Sequence, residues 1–188
     1  MAALFAIQFA VLSITVYLAL YLQHGLGWSA LPAGIVIAGA GIWTPLLSLR
    51  TGRTADARGA RALVVPGLCL TTIGLTWIAA TASLEVVWWL IPGLVLFGLS
   101  RPFVFTPASV GPTRALPAEA RATASSLVTE ARQAGAALGV ALSGLAWSAV
   151  GSQQLDDVVG VQLVASTSVA LGVVVAAALV VWRWMPSG

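Results

Sequence analysis

Six apolar runs, each about twenty residues long, decide what this chain can become. They lie roughly at 3 to 22, 31 to 49, 62 to 82, 87 to 111, 123 to 148 and 162 to 183. At about 1.5 Å per residue, such a run is what a helix needs to cross a hydrocarbon core about 30 Å thick. That core holds no water to take up backbone N–H and C=O groups, so a run of this length is stable there as a helix. Composition closes the soluble alternative. The 188 residues are 59% hydrophobic and 8% charged, with a mean hydropathy of +0.97, which leaves too little polar surface to clothe a soluble globule. The expected architecture is an all-α integral membrane protein with six transmembrane helices in one domain, residues 1–188. The first run starts at Met1 without a basic leader and has no small-residue cleavage site after it, so it is expected to remain as a membrane helix.

The remaining composition excludes other classes. A net charge of +3 and a sequence pI near 10.0 raise the question of nucleic acid, but the charges are sparse, separated by apolar runs and gathered on no basic face. Cys69 stands alone inside an apolar run, and Asp156 and Asp157 are adjacent carboxylates without spaced oxygen partners. No disulfide framework, thiolate metal centre or calcium cage is expected from them, and no cofactor.

Arginines in short loops set the orientation, because such loops stay in the cytoplasm. Arg50, Arg53, Arg58 and Arg61 follow the second run, Arg114 and Arg121 follow the fourth, and Arg183 lies between Trp182 and Trp184 at the end of the sixth. The loops on the other side, around His24, around Glu85 and around Asp156 and Asp157, contain no Arg. Both termini are therefore expected in the cytoplasm, with the tryptophan pair as an interfacial anchor.

Three charges interrupt the apolar runs: Arg101 in the fourth, and Glu130 and Arg132 in the fifth. An arginine at mid-membrane costs roughly 2.5 to 3.5 kcal/mol on insertion scales, so each is expected to face a protein interior or a water-filled cavity. Arg101 lies ten residues before Gly111 and Arg132 ten residues after Ala122, which puts both about 15 Å deep. Residues two apart point to different sides of a helix, so Glu130 and Arg132 do not pair with each other. The expected arrangement is a contact of Glu130 with Arg101 across helices, with Arg132 facing a cavity; a static ion pair that only fixes helix register is the alternative. Phe97, Arg101 and Phe105 recur at spacings of four, so the Arg101 guanidinium is expected against aromatic rings. Pro102 and Pro107 follow directly and free carbonyls in the same helix.

Smaller signals surround these charges. The first run carries two polar stripes, Gln8 with Thr15, and Ser13 with Tyr17 and Tyr21. Each is a candidate cavity lining, with hydroxyl back-bonding and interfacial tyrosines as the competing reading. Gly34, Ala38 and Gly41 in the second run, and Ala131, Gly135, Gly139 and Ser143 in the fifth, form small-residue stripes on which neighbouring helices can close. Residues 50 to 61, RTGRTADARGAR, read as a short inner loop with Gly52 and Gly59 at its turns and Asp56 accepting from backbone N–H groups or an arginine.

Taken together, these stretches resemble the major facilitator superfamily, in particular its fourteen-helix drug:proton antiporter branch of multidrug efflux. YLQHGLGWSALPAG at 21 to 34 is similar to an outer loop of that branch. Gly52, Arg53, Asp56, Gly59 and Arg61 match the inner-loop signature, with Ala57 then Arg58 in place of a basic residue followed by an aromatic. Ala124, Ser125, Arg132, Gln133, Gly135 and Gly139 match the penultimate-helix pattern. The resemblance implies the C-terminal six-helix half of a transporter, built as a 3+3 inverted repeat in a bacterial inner membrane. Its first and fourth helices would line the cavity, its second and fifth would pack against an N-terminal half, and its partners would be lipid, a small-molecule substrate and protons. A missing six-helix half or a second copy would complete the pathway. A non-transporting membrane protein that uses the same packing faces for assembly or regulation is the alternative. An intramembrane hydrolase lacks a buried nucleophile with a base in reach, since the only histidine is His24.

Overall fold

The computed structural model describes residues 1–84, 86–114, 117–151 and 158–184. Glu85, Asp156 and Asp157 lie outside the described residues, as does the side chain of Arg114. Seven α-helices make six membrane-length spans: α1 (Ala2–Leu20), α2 (Ala30–Gly41), α3 (Trp43–Arg58), α4 (Arg61–Thr81), α5 (Val87–Arg114), α6 (Ala118–Gly151) and α7 (Val158–Trp184). There is no strand among the described residues.

The second span is broken once, between Gly41 and Trp43, where α2 passes into α3. The chemistry of the break is local. Pro45 has no N–H to offer the Gly41 carbonyl four residues back, and its ring crowds that carbonyl. The other prolines do not break their helices, and α5 runs through both Pro102 and Pro107. α1 ends differently, in a π turn over Tyr21–Gly25 whose last bond runs from Leu26 N–H to the Tyr21 carbonyl at 3.2 Å.

The segment read as a short inner loop is mostly helix. α3 continues to Arg58, so Gly52 sits inside it, and a single residue makes the turn: Gly59, at φ 82°, donates its N–H to the Ala55 carbonyl at 3.0 Å. A left-handed φ there suits glycine because no Cβ meets the following carbonyl. Arg61, the first residue of α4, then reaches across to donate to the Trp182 carbonyl at 2.9 Å, joining the start of α4 to the end of α7.

Packing follows an internal symmetry. α1 lies against α6 and α7, α4 against α5 and α7, and α3 against α5. Exchanging each of the first three spans with the span three places later turns the α1–α6 contact into the α5–α3 contact and the α4–α5 contact into the α7–α1 contact. That is the arrangement of a 3+3 repeat. The core is made by Leu4, Ile7, Phe9, Leu18 and Leu22 of α1 and the end that follows it, with Leu68, Leu75 and Ile78 of α4, Leu90 of α5 and Leu163 of α7. Burial is unequal between spans: 61% of the most apolar 18-residue window is buried in the first, 6% in the second and 17% in the fifth.

Candidate functional site

α1 and α6 form the tightest seam near the intramembrane charges. A Cβ placed on Gly139 would sit 2.5 Å from the Phe9 carbonyl oxygen, and one on Gly135 would overlap the Phe5 carbonyl. Only hydrogen fits at either position, so the small-residue stripe on α6 is where α1 closes. The same seam carries hydroxyl bonds. Ser143 Oγ donates to the Ser166 carbonyl of α7 at 3.3 Å, which leaves it to accept from Ser13 Oγ at 2.6 Å. Tyr17 Oη donates to the Val140 carbonyl at 2.6 Å, with its ring 5.4 Å from that of Trp147.

This settles the two polar stripes of α1. Ser13, Tyr17 and Tyr21 face inward as interhelical clamps, Tyr21 donating to the Ala82 carbonyl at 3.0 Å, so the Tyr17 hydroxyl is engaged in the α1–α6 seam. Gln8 lies nine residues from Tyr17, half a turn round the helix. It is half-buried on the other side, together with Thr15, whose hydroxyl bonds back to the Val11 carbonyl at 2.6 Å. Of the two stripes, Gln8 with Thr15 is the one left facing away from the seam.

The arginines do not sit as expected. Arg132 lies with its guanidinium carbon 4.3 Å from the centroid of the Phe105 ring, so Phe105 holds Arg132 rather than the arginine of its own helix. Its Nε is buried and has no hydrogen-bond partner among the described residues. Arg101 lies one turn away on α5 and instead approaches the helix break: its Nη1 would be 3.6 Å from a Cβ on Gly41. Phe97 is 3% exposed and packs in the core, and so does not line an open cavity.

Glu130 is exposed and forms no ion pair with Arg101 among the described residues. The reason is helical phase. Ala124, Val128, Gly135, Gly139 and Ser143 define the buried stripe of α6, and Arg132 lies at its margin. Two residues turn a helix by about 200°, so Glu130 points almost directly away from that stripe. Its neighbours there are small or polar: Ser126, Gln133, Ala137, Ala141 and Ser148, all exposed. A separate exposed stripe, Leu127, Leu138, Leu142 and Leu145, is purely aliphatic.

Gly34 has nothing within 4 Å of a Cβ, so it packs against no helix among the described residues. On the arginine-rich side, Arg53 and Asp56 are exposed near the end of α3. At the opposite end, Leu20, His24, Trp147 and Gln162 line an open pocket of about 250 Å³.

Several contributors were not anticipated from the sequence. Thr44 Oγ1 and Ser109 Oγ are, with Arg132 Nε, the buried side-chain polar atoms that lack a hydrogen-bond partner among the described residues. Ser109 extends the Phe97, Arg101, Phe105 spacing by four, and that regularity was its available signal. Thr44 lies three residues beyond Gly41, across the break in the first turn of α3. Gly98 was also missed. A Cβ there would overlap the Ala40 carbonyl, so glycine lets α5 approach the end of α2.

Comparison with known proteins agrees with this architecture. The Major Facilitator Superfamily profile matches residues 1–187. The lincomycin resistance protein LmrB of Listeria monocytogenes is 30% identical over 163 residues, covering 83% of this chain and 34% of the relative, and the Listeria innocua protein of the same name gives the same figures. Its namesake in Bacillus subtilis is 28% identical over 141 residues, covering 74% of this chain and 29% of the relative. The chain thus spans about a third of the length of the curated relatives it matches. With six membrane-length helical spans and a family match along nearly its whole length, the chain belongs to the Major Facilitator Superfamily, a family of membrane transporters.

Proposed function

We propose that the chain is the C-terminal six-helix half of an efflux transporter that exports amphipathic small molecules in exchange for protons. It would lie in the bacterial inner membrane with its arginine-rich loops and both termini in the cytoplasm, and an N-terminal six-helix half or a second copy would complete the pathway. One observation carries the reading. The uncovered surface of α6 divides into an aliphatic stripe fit for lipid and a small, polar stripe around Glu130 that lipid would not accept. A second bundle or a water-filled cavity must cover the latter. The symmetry-related span, α2 with α3, is the least buried of the six and is a second surface for that partner. The names of the relatives, which speak of lincomycin resistance, support drug export.

In this reading, Arg101, Arg132 and Gln8 face the central pathway, Gly135 and Gly139 hold α1 against α6, and Glu130 is the group that takes up a proton at mid-membrane. The test is efflux from cells expressing this chain alone, or together with a matching N-terminal half, using fluorescent amphiphiles of positive, zero and negative charge. Export of any of them that requires both halves supports the reading, and export by the chain alone supports assembly from copies. Silence for every probe in both cell types, with the protein present in the membrane, overturns it and leaves a non-transporting assembly role.

A further inference from the structure

We propose that Arg101, Arg132 and Phe105 form a recognition site for the anionic head of an amphipathic substrate, a carboxylate joined to an aromatic or aliphatic body. The inference deepens the transport reading, since it names the class of molecule the pathway takes.

Charge comes first. Within the six apolar runs of the sequence the only acidic residue is Glu130, and on α6 it points almost directly away from the buried stripe that Arg132 borders; Asp56 and Glu119 lie at the helix ends. Arg101 and Arg132 are thus two cations in the membrane core with no carboxylate paired to either among the described residues. Unpaired charge at that depth calls for an anion.

Geometry narrows which anion. The Phe105 ring covers one face of the Arg132 guanidinium, at 4.3 Å from ring centroid to carbon. A guanidinium held by its face keeps its N–H groups in the plane around its edge. That is the fork that matches the two oxygens of a carboxylate. Arg101 stands one helical turn along α5, about 6 Å in rise from Phe105, against the broken backbone at Gly41. Phe105, on the same helix stripe as Arg101 and in contact with Arg132, offers an apolar surface to the body of the same ligand.

Polar satisfaction points to the same place. Among the described residues, the three buried side-chain polar atoms without partners are Thr44 Oγ1, Ser109 Oγ and Arg132 Nε. Ser109 is one turn beyond Phe105 on the arginine stripe, and Thr44 is at the start of α3, just across the break from the Gly41 that Arg101 approaches. Buried donors left idle are uncommon in a folded protein, and here two lie on the helices that carry the arginines and the third at the start of α3, beside the break that Arg101 approaches. The α1–α6 seam, by contrast, spends its hydroxyls on neighbouring carbonyls and on each other.

The test is equilibrium binding to the full chain in lipid nanodiscs, with empty discs as background. The probes are 2-naphthoate, its methyl ester and 2-naphthylmethylammonium, which share a body and differ in head-group charge. The expected order places naphthoate at least about tenfold tighter than the other two, as a charge-assisted bidentate contact would give. Arg132→Gln and Arg101→Gln should each weaken naphthoate about tenfold and leave the ester unchanged, while Arg132→Lys should retain part of the affinity. Phe105→Leu should cost about threefold. Equal binding of the three probes by the unaltered chain overturns the proposal without reliance on any variant. So does loss of naphthoate binding when the N-terminal half is co-assembled, because a carboxylate of that half would then be the anion the arginines hold. Efflux of cationic probes alone would also overturn this inference while leaving the transport reading in place.

Discussion

Two symmetry-related contacts, α1 on α6 and α5 on the broken span of α2 and α3, differ in how they treat polar groups. The first is sealed. Glycines at 135 and 139 admit the Phe5 and Phe9 carbonyls, and Ser13, Ser143 and Tyr17 all find hydrogen-bond partners across the seam. The second also has a glycine, Gly98, under the Ala40 carbonyl, yet it lies beside a helix break, an arginine and two idle hydroxyls. Equivalent positions in a repeat therefore differ: one contact satisfies its polar groups, and the other leaves two buried hydroxyls without a partner among the described residues.

The contrast can be broken most forcefully at the sealed contact. Gly135→Val together with Gly139→Val should destabilise the bundle by at least about 3 kcal/mol, because the new side chains would overlap backbone that cannot retreat. Unfolding of the purified chain in detergent measures it, and a change below about 1 kcal/mol would show that the seam is loose. Arg101→Leu should act in the opposite sense, raising stability by about 2 kcal/mol as an unpaired charge leaves the core. It should also reduce transport in the two-half assembly. Unchanged transport at equal protein level would make Arg101 a passenger.

Smaller effects sharpen the same distinction. Tyr17→Phe removes one interhelical bond and should cost about 1 kcal/mol in unfolding assays, since such bonds in membrane bundles are modest. Glu130→Gln should change stability by less than about 0.5 kcal/mol, because the side chain is exposed and makes no ion pair among the described residues. In reconstituted vesicles that assemble both halves, it should nonetheless abolish efflux driven by a proton gradient. Efflux that persists would exclude Glu130 as the coupling group.

Much of the fold was legible in the sequence because the membrane admits so few solutions. Run length gave the six spans, and the spacing of Gly135 and Gly139 marked a close-packing face that proved to be the α1 contact. What the sequence left open was rotation. The two stripes of α1 looked equally suited to a cavity, and only the positions of Val140 and Ser143 turned Tyr17 and Ser13 inward. Likewise, Phe105 lies at the right spacing to cover Arg101, but the approach of α6 gives its ring to Arg132. Spacing within one helix fixes which residues share a face; which neighbour reaches that face is a property of tertiary packing. The helical continuation of α3 through Gly52 had a similar cause, since a glycine inside a helix is permitted and only Gly59 carries the φ that ends one.

The claim that the idle polar groups belong to transport, while the satisfied ones belong to the fold, is tested most directly by one comparison. Efflux by the two-half assembly would be measured for Arg132→Gln and Tyr17→Phe, each normalised to the amount of folded protein in the membrane. The account predicts that Arg132→Gln loses most of its normalised export and that Tyr17→Phe keeps it. Equal export by the two variants, or the reverse order, would contradict it.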